Sequence, residues 1–598
     1  MQSWRRYAGL TIAVLVALGA CSSESDDVPS HKSTTTTVDD DGNIPIPTIS
    51  EATGGAGRPI GGMRYDVTEF GYQEHEYFFE GTAKTYPPTD VPPAAYRSRM
   101  IVWTPADSTR FNGTTVVEWA HVSDYGQFEL TVDLNAQAPM LEQQGFAFAL
   151  VSAEEGGVCD QSVTGCTDTS LKGADPQRYG SLDHPGDPYS FAIFNQALQA
   201  LKRPTGIAPL GELETRFIIV EGFQPSIDKW FTQGAPASAA AASPFGINGP
   251  LNAYLANGAD TDARLADAFL IDAAAPASEP ERYRVPTLHH LDESAIRREP
   301  SRDTANHVTW EIVGAPHADR WASDHIRLPS STPPPHLTRP EEEARRDAFD
   351  DFGQTTTAGG EICAPGRATG SAFPRRFTLN AALVSLHEWL NTGQKAPSAQ
   401  RIERTRATPD SPTRKLSRGQ DGNAVGGLRS PVVDVPFATY NGEACVSAGT
   451  MVSLSSERLA QLFSSHEDYV NELLAATNNA VADRVLVCQD AETIMRKASE
   501  AAIGGADSYS AAPDCVDEPH PPSPDVGGLP SGDSSARRRL GISRGADATS
   551  SCFDAGEAGP DSRRGGEHHA ARRLRGGDLA ARRGRVRSQA ALPLRNLG

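Results

Sequence analysis

The chain is short of positive charge, of cysteine and of long apolar runs, and each shortage closes off a class of function. Lys and Arg number 55 against 76 Asp and Glu, a formal charge of −21 over 598 residues. A folded surface that grips nucleic acid through its phosphates is therefore not expected. The eight cysteines contain no Cys-x-x-Cys spacing, and no His-x-x-x-His pair occurs, so no metal site is signalled. The longest apolar run, YAGLTIAVLVALGAC (Tyr7 to Cys21), is too short for a comfortable membrane span. Between Ser531 and Gly598 there is no lysine and one aromatic, Phe553, beside fourteen arginines. Such a segment has too little apolar surface to offset its ordering entropy. It is expected to be disordered, and its composition is also what GC-rich DNA encodes out of frame. A basic arm for anionic partners is the weaker reading.

What is present begins at the N-terminus. Arg5 and Arg6 precede the apolar run in the manner of a signal peptide. The run ends in Leu18-Gly19-Ala20-Cys21, which resembles a bacterial lipobox. That resemblance implies cleavage before Cys21, acylation of its thiol and amine, and a protein held outside the cytoplasm on a bacterial membrane. Residues 22–60 are rich in Ser, Thr and Asp and suit a tether. Residues 61–400 carry the main domain, 401–505 a helix-rich extension packed on it, and 506–598 the Arg-rich tail. In a compartment that permits disulfides, Cys159 and Cys166 are the first candidate pair. Cys363–Cys445 and Cys445–Cys488 are both open alternatives.

Within the main domain, short β-branched and aromatic runs alternate with helical spacing. MIVWTPAD (Met100 to Asp107), TTVVEWAHV (Thr114 to Val122) and FAFALVSAE (Phe146 to Glu154) have strand character. YSFAIFNQALQALKR (Tyr189 to Arg203) has apolar residues at helical spacing. RFIIVEG, DAFLIDAAA, RVPTLHHLD and HVTWEIVGAPH follow as further strands, and LNAALVSLHEWLNTG (Leu379 to Gly393) as a helix. The alternation predicts an α/β fold, a doubly wound and mostly parallel sheet with long insertions and a C-terminal helical extension.

The chemistry is read from order. FIIVEGFQPSIDKW (Phe217 to Trp230) runs a strand into Gly222 and a helix, as a nucleophile elbow does. Acids follow at Asp292 and Glu293, then His317, each after a strand. Nucleophile, acid and histidine in that order on carboxyl-end loops is the layout of an α/β-hydrolase. The elbow itself departs from the pattern. The position two after Gly222 holds Gln224, followed by Pro225 and Ser226. Pro225 is tolerated in a first helical turn, but it offers no N–H for an oxyanion hole. His289 and His290 lie in or just after a strand and are assigned to packing. DHPGDPYS (Asp183 to Ser190) is taken as a structural turn.

The stretches TVVEWAHVS, LKGADPQRYGSLDHPGDPYSFAIFNQALQAL, WEIVGAPHADRW, FTLNAALVSLHEWLNTGQKAPSAQRI and DGNAVGGLRSPVVDVPFATYNG resemble the bacterial "alpha/beta hydrolase domain" family over roughly residues 60 to 500. The resemblance implies a serine hydrolase acting on small carboxylic esters or amides, with no cofactor and a G-x-S-Q-S elbow. Aligned on that elbow, Gly222 and Ser226 match, while Gln224 and Pro225 replace Ser and Gln. Three explanations follow: Ser226 attacks, the protein is inactive and binds or scaffolds at the cell surface, or two compensating base shifts turned AGC-CAA into CAG-CCA. The alignment places Glu293 on the family's glutamate, so Glu293 is the expected acid, with Asp292 second. Ser226, Glu293 and His317 form the expected triad, and the loop at His121, Val122 and Ser123 the expected second half of the oxyanion hole.

Overall fold

Strands that are apolar at every position, rather than at alternate ones, need cover on both faces. The computed structural model shows that arrangement. It describes residues 44–515 apart from 56–57, 86–88, 124–127, 160–169, 224–264, 273–282, 297–301, 323–334, 353–370, 407–414, 446–447 and 506–508. The strands described up to residue 311 are β1 (Thr48–Glu51), β2 (Tyr72–Ala83), β3 (Ala94–Pro105), β4 (Thr114–Trp119), β5 (His121–Ser123), β6 (Phe128–Leu130), β7 (Ala147–Val151), β8 (Phe217–Phe223), β9 (Ala268–Asp272), β10 (Thr287–Leu291) and β11 (His307–Glu311). Nine of them form one sheet in the order β1-β2-β3-β7-β4-β8-β9-β10-β11, while β5 pairs with β6 alone. From β7 to β11 every pairing is parallel. β1, β2 and β3 add an antiparallel edge. The mostly parallel sheet expected from the alternation is therefore present.

Side-chain alternation divides the core. Trp103, Val116, Phe148, Ile219, Leu270 and Val308 face one layer, with helices α1 (Asp133–Gln144) and, later in the chain, Arg375–Thr392. Val102, Val117, Ala149, Val220 and Phe269 face the other, with α2 (Ser190–Lys202). Neighbouring residues of one strand thus feed two cores. α1 stops at Gly145, whose φ of 73° and whose approach to the Arg110 carbonyl leave no room for a Cβ (1.9 Å).

Two expectations are corrected in extent. The tether ends earlier than residue 60, because Thr48–Glu51 pairs with Tyr77–Glu80 and Ile49 is buried. The extension does not merely rest on the domain: Leu428 N–H donates to Glu311 O (2.8 Å), and Val313 N–H to Leu428 O (3.0 Å). Glu311 also accepts from Ile402 N (2.8 Å) and Arg404 (2.7 Å). The chain past residue 400 thereby continues the hydrogen bonding beyond β11. Cys488 is a thiol, which removes the Cys445–Cys488 pairing. Cys166 and Cys363, the other proposed partners, lie outside the described residues, as does the tail. Among the described residues, no helix is long and apolar enough to cross a membrane.

Candidate active site

β7 and β8 flank β4 on opposite sides, so the chain reverses its winding direction at β4. Crevices at the carboxyl ends of strands around such a reversal are where open α/β sheets bind ligands. β8 ends there at Phe223, and β4 runs directly into the β5–β6 hairpin. Gln224, Pro225 and Ser226 lie outside the described residues.

β10 and β11 deliver the acid and the histidine. Asp292 follows β10, is fully buried, and its Oδ2 accepts from His317 Nδ1 at 3.1 Å. Its Oδ1 accepts from the backbone N–H of Ser294 (2.7 Å) and Ala295 (3.0 Å), a local turn that fixes the carboxylate. Burial alone would raise the Asp292 pKa, but the hydrogen bonds from His317 and Ser294 outweigh it and hold the group below the usual carboxylate range. An ionised carboxylate only accepts, so His317 Nδ1 carries a proton, and in the neutral ring Nε2 then holds the lone pair. That tautomer can take a proton from a hydroxyl.

His317 stands on a loop shaped by Gly314, whose φ is 80° and whose Cβ would meet Tyr440 Cβ at 2.8 Å. The imidazole is 5 % exposed. His121 of β5 is its neighbour on another side. Burial, and then the charge of His317, push the His121 pKa down to about 3. His121, which opens the hairpin expected to carry half of an oxyanion hole, is therefore within electrostatic reach of His317 and stays neutral. Val122 is half-buried on the same strand. Ser123 is described only in its backbone, which pairs with Phe128. The hairpin is tied down by Glu129, whose Oε2 accepts from Arg99 (2.7 Å) and Ser152 (2.6 Å).

The expected acid, Glu293, is elsewhere. It is fully buried and turned from His317, and it accepts from Gly314 N (2.8 Å), Gly442 N (2.9 Å) and Arg418 Nη2 (2.8 Å). The preference for Glu293 over Asp292 is corrected on this geometry. The turn after β10 thus gives the two acids different partners, Asp292 to His317 and Glu293 to Gly314, Gly442 and Arg418.

A set of buried acids went unrecognised in the sequence. Glu118 and Glu221 are register partners at the carboxyl ends of β4 and β8. Glu118 accepts from the N–H groups of Val132 (2.9 Å), Asp133 (3.4 Å) and Leu134 (3.1 Å), so it caps α1, which has no capping side chain of its own. Among the described residues Glu221 has no hydrogen-bond partner on either oxygen, and the same is true of Asp133. Burial, then Asp133 and Glu118, push the Glu221 pKa well up. Burial likewise lifts Asp133 to about 6. Beside them Asp272 pairs with Arg375 and accepts from His290 Nδ1 (2.9 Å), while His290 Nε2 meets Thr378 Oγ1 (2.9 Å). His289 is within 3.1 Å of His307. The packing assignment of both histidines agrees with these contacts, and no metal-binding cluster occurs among the described residues. In the DHPGDPYS turn, His184 accepts from Gly186 N (3.2 Å) and reaches Ala153 O (2.8 Å), as a structural turn would. The sequence signal for the acid set was three apolar strands ending in an acid: TTVVE, FIIVE and AFLID.

A doubly wound sheet with an Asp–His pair on the loops after its last two strands defines an α/β-hydrolase-type protein. The chain belongs to the alpha/beta hydrolase domain family, whose sequence profile matches residues 43–496. No curated protein matches it. Among solved structures it is similar to a cold-adapted esterase from an Arctic intertidal metagenomic library, at 12 % identity over 36 % of this chain and 72 % of that one, with a TM-score of 0.18. It is also similar to a lidless α/β serine hydrolase from Xanthomonas campestris, at 11 % identity over 36 % and 70 %, with a TM-score of 0.17. Similarity at this level carries no argument about substrate.

Proposed function

We propose that the protein hydrolyses small carboxylic esters or amides through an acyl-enzyme, with His317 as general base and acid and Asp292 as its orienting carboxylate. The observation that carries this is the buried Asp292 Oδ2–His317 Nδ1 hydrogen bond (3.1 Å) at the carboxyl ends of adjacent parallel strands. His317 Nε2 would take the hydroxyl proton of the nucleophile as its oxygen bonds to the substrate carbonyl carbon. It would return that proton to the leaving group when the tetrahedral intermediate collapses. Water, deprotonated the same way, would release the acid product. The β5 amides would donate to the oxyanion. By its N-terminal signal and Cys21, the protein would act outside the cytoplasm from a lipid anchor.

The nucleophile decides between this and a second reading, an inactive surface protein, which the Gln224-Pro225 sequence favours. Ser226 lies two residues beyond the elbow position, about 200° around a helix at 3.6 residues per turn, so the protein as it stands is expected to turn over p-nitrophenyl acetate little. Replacing Gln224 with Ser and Pro225 with Gln (Q224S/P225Q) should create turnover that a further His317→Ala removes. Turnover by the unaltered protein, lost on Ser226→Ala, would identify Ser226 as the nucleophile. No turnover in either protein favours the binding role.

A further inference from the structure

The carboxylate next to the proposed active-site acid has a different task. Glu293 carries three hydrogen bonds, and their donors come from two separate parts of the chain. Gly314 N–H, on Oε1, belongs to the loop that ends in His317. Gly442 N–H and Arg418 Nη2, both on Oε2, belong to the extension. The same Arg418 nitrogen donates to Asn441 Oδ1 (2.8 Å), and Arg418 Nη1 to Gly422 O (3.2 Å). The backbone repeats the connection: Glu293 N–H donates to Ala315 O (3.0 Å). Gly442 lies so close to that carbonyl that a Cβ on it would stand 1.9 Å away. One residue later in the histidine loop is Pro316, and then His317. The loop is thus held at residues 314 and 315 by Glu293 and at His317 by Asp292, two neighbouring residues of one turn.

We propose that Glu293 is a positioning residue that, with Arg418, locks the His317 loop against the extension, making residues 418–442 part of the active-site framework. The proposal rests on the reading of Asp292–His317 as the acid–base pair. The carboxylate is suited to the task because two ionised oxygens can serve three donors. In Glu293→Gln one oxygen becomes an NH₂ group that faces other donors, so at least one bond is lost. Arg418→Gln removes the charged donor, and since Arg418 is partly exposed (24 %) the variant should fold.

Two measurements test this, one of them independent of turnover. The first is carbethoxylation of His317 by diethyl pyrocarbonate, followed by peptide mass in the full chain. Glu293→Gln and Arg418→Gln should speed it by about tenfold or more, the factor by which losing one charge-assisted hydrogen bond favours a local opening. Arg418→Lys, which keeps a cationic donor, should restore most of the protection. Buried His184 and His466 should not change. The second is hydrolysis of p-nitrophenyl acetate in the Q224S/P225Q protein. There the variants should lower kcat by about 10²-fold, the cost of a displacement near 1 Å, with KM nearly unchanged, because neither group touches substrate. Unchanged carbethoxylation of His317 in folded Arg418→Gln overturns the proposal whatever the activity, and so does acceleration shared by all buried histidines. If the Q224S/P225Q protein is inactive while His317 alone becomes reactive, the hydrolase reading fails and the lock stands. Should Glu293→Gln not fold, Arg418→Gln decides.

Discussion

Asp292→Asn, made in the Q224S/P225Q protein, separates the cost of folding from the cost of chemistry. Asn keeps an oxygen that can accept from Ser294 N and Ala295 N, now at 2.7 and 3.0 Å. Its NH₂ group then faces His317 Nδ1, now 3.1 Å from Asp292 Oδ2. Nδ1 must turn acceptor, the ring proton moves to Nε2, and Nε2 can no longer take a proton. Holding a catalytic histidine in the wrong tautomer costs about 10⁴ in kcat, roughly 5.5 kcal/mol. The folded state, by contrast, exchanges one hydrogen bond for another and should lose only about 1 kcal/mol. The assay is p-nitrophenyl acetate turnover beside a thermal melt of the same sample. If Asp292→Asn stays within tenfold of its parent while Glu293→Gln abolishes turnover with an unchanged melt, then Glu293 is the acid and the geometric argument is wrong.

Other expectations follow from buried acids and the anchor. Burial raises the Asp490 pKa to about 7, with Arg376 and Asn380 offsetting part of the effect. A folded pKa above the unfolded value near 3.8 means that this group's contribution to stability is fully present below about pH 4 and is lost as pH rises toward 7. Asp490→Asn should remove that contribution, matching wild type in denaturant melts near pH 4 and exceeding it near pH 8 by up to about 4 kcal/mol; equal stability at both would refute this. Glu221, buried without a partner on either oxygen among the described residues and with its pKa pushed well up by burial, should tolerate Glu221→Gln, and a gain in melting temperature at alkaline pH is expected. A large loss would mean that it is ionised and paired. Cys21→Ala should release the protein from the membrane or leave its signal uncleaved; an unmodified N-terminus elsewhere, by intact mass, would contradict the lipid anchor.

The parallel half of the sheet was legible because strands covered on both faces cannot hide: β4, β7, β9, β10 and β11 are buried at every position. β1 was missed because it is four residues long, its apolar signal is Ile49 alone, and its neighbours are polar. Long-range order was illegible for a different reason. Nothing in RIERTRAT or LRSPVVDV reveals that Ile402 N–H donates to the Glu311 carboxylate or that Leu428 continues the backbone hydrogen bonding past Glu311, since on the 402 and 428 sides the groups involved are backbone and leave no side-chain signature. The acid set had a signature, TTVVE, FIIVE and AFLID, yet a strand-end acid ordinarily points to solvent. Only the register that sets Glu118 beside Glu221 makes these acids a cluster.

The choice between Asp292 and Glu293 shows where alignment and geometry part. A family alignment assigns a role by column, and one uncertain column moved the role by one residue. The two residues share the turn after β10, and a shift of one exchanges the carboxylate on His317 for the one on Gly314 and Gly442. Alternation, once the contacts of His290 are known, gives a better argument. Leu288, His290 and Asp292 share one parity, and His290 is the residue that meets Asp272 and Thr378. Those partners stand at the end of β9 and on the helix that covers that face. The carboxylate with the parity of His290 therefore emerges on the side where strand-end polar groups gather, and its neighbour is left to face the extension. The two acids then divide one loop between them: Asp292 sets the proton on His317, and Glu293, through Gly314, sets the backbone that carries the ring.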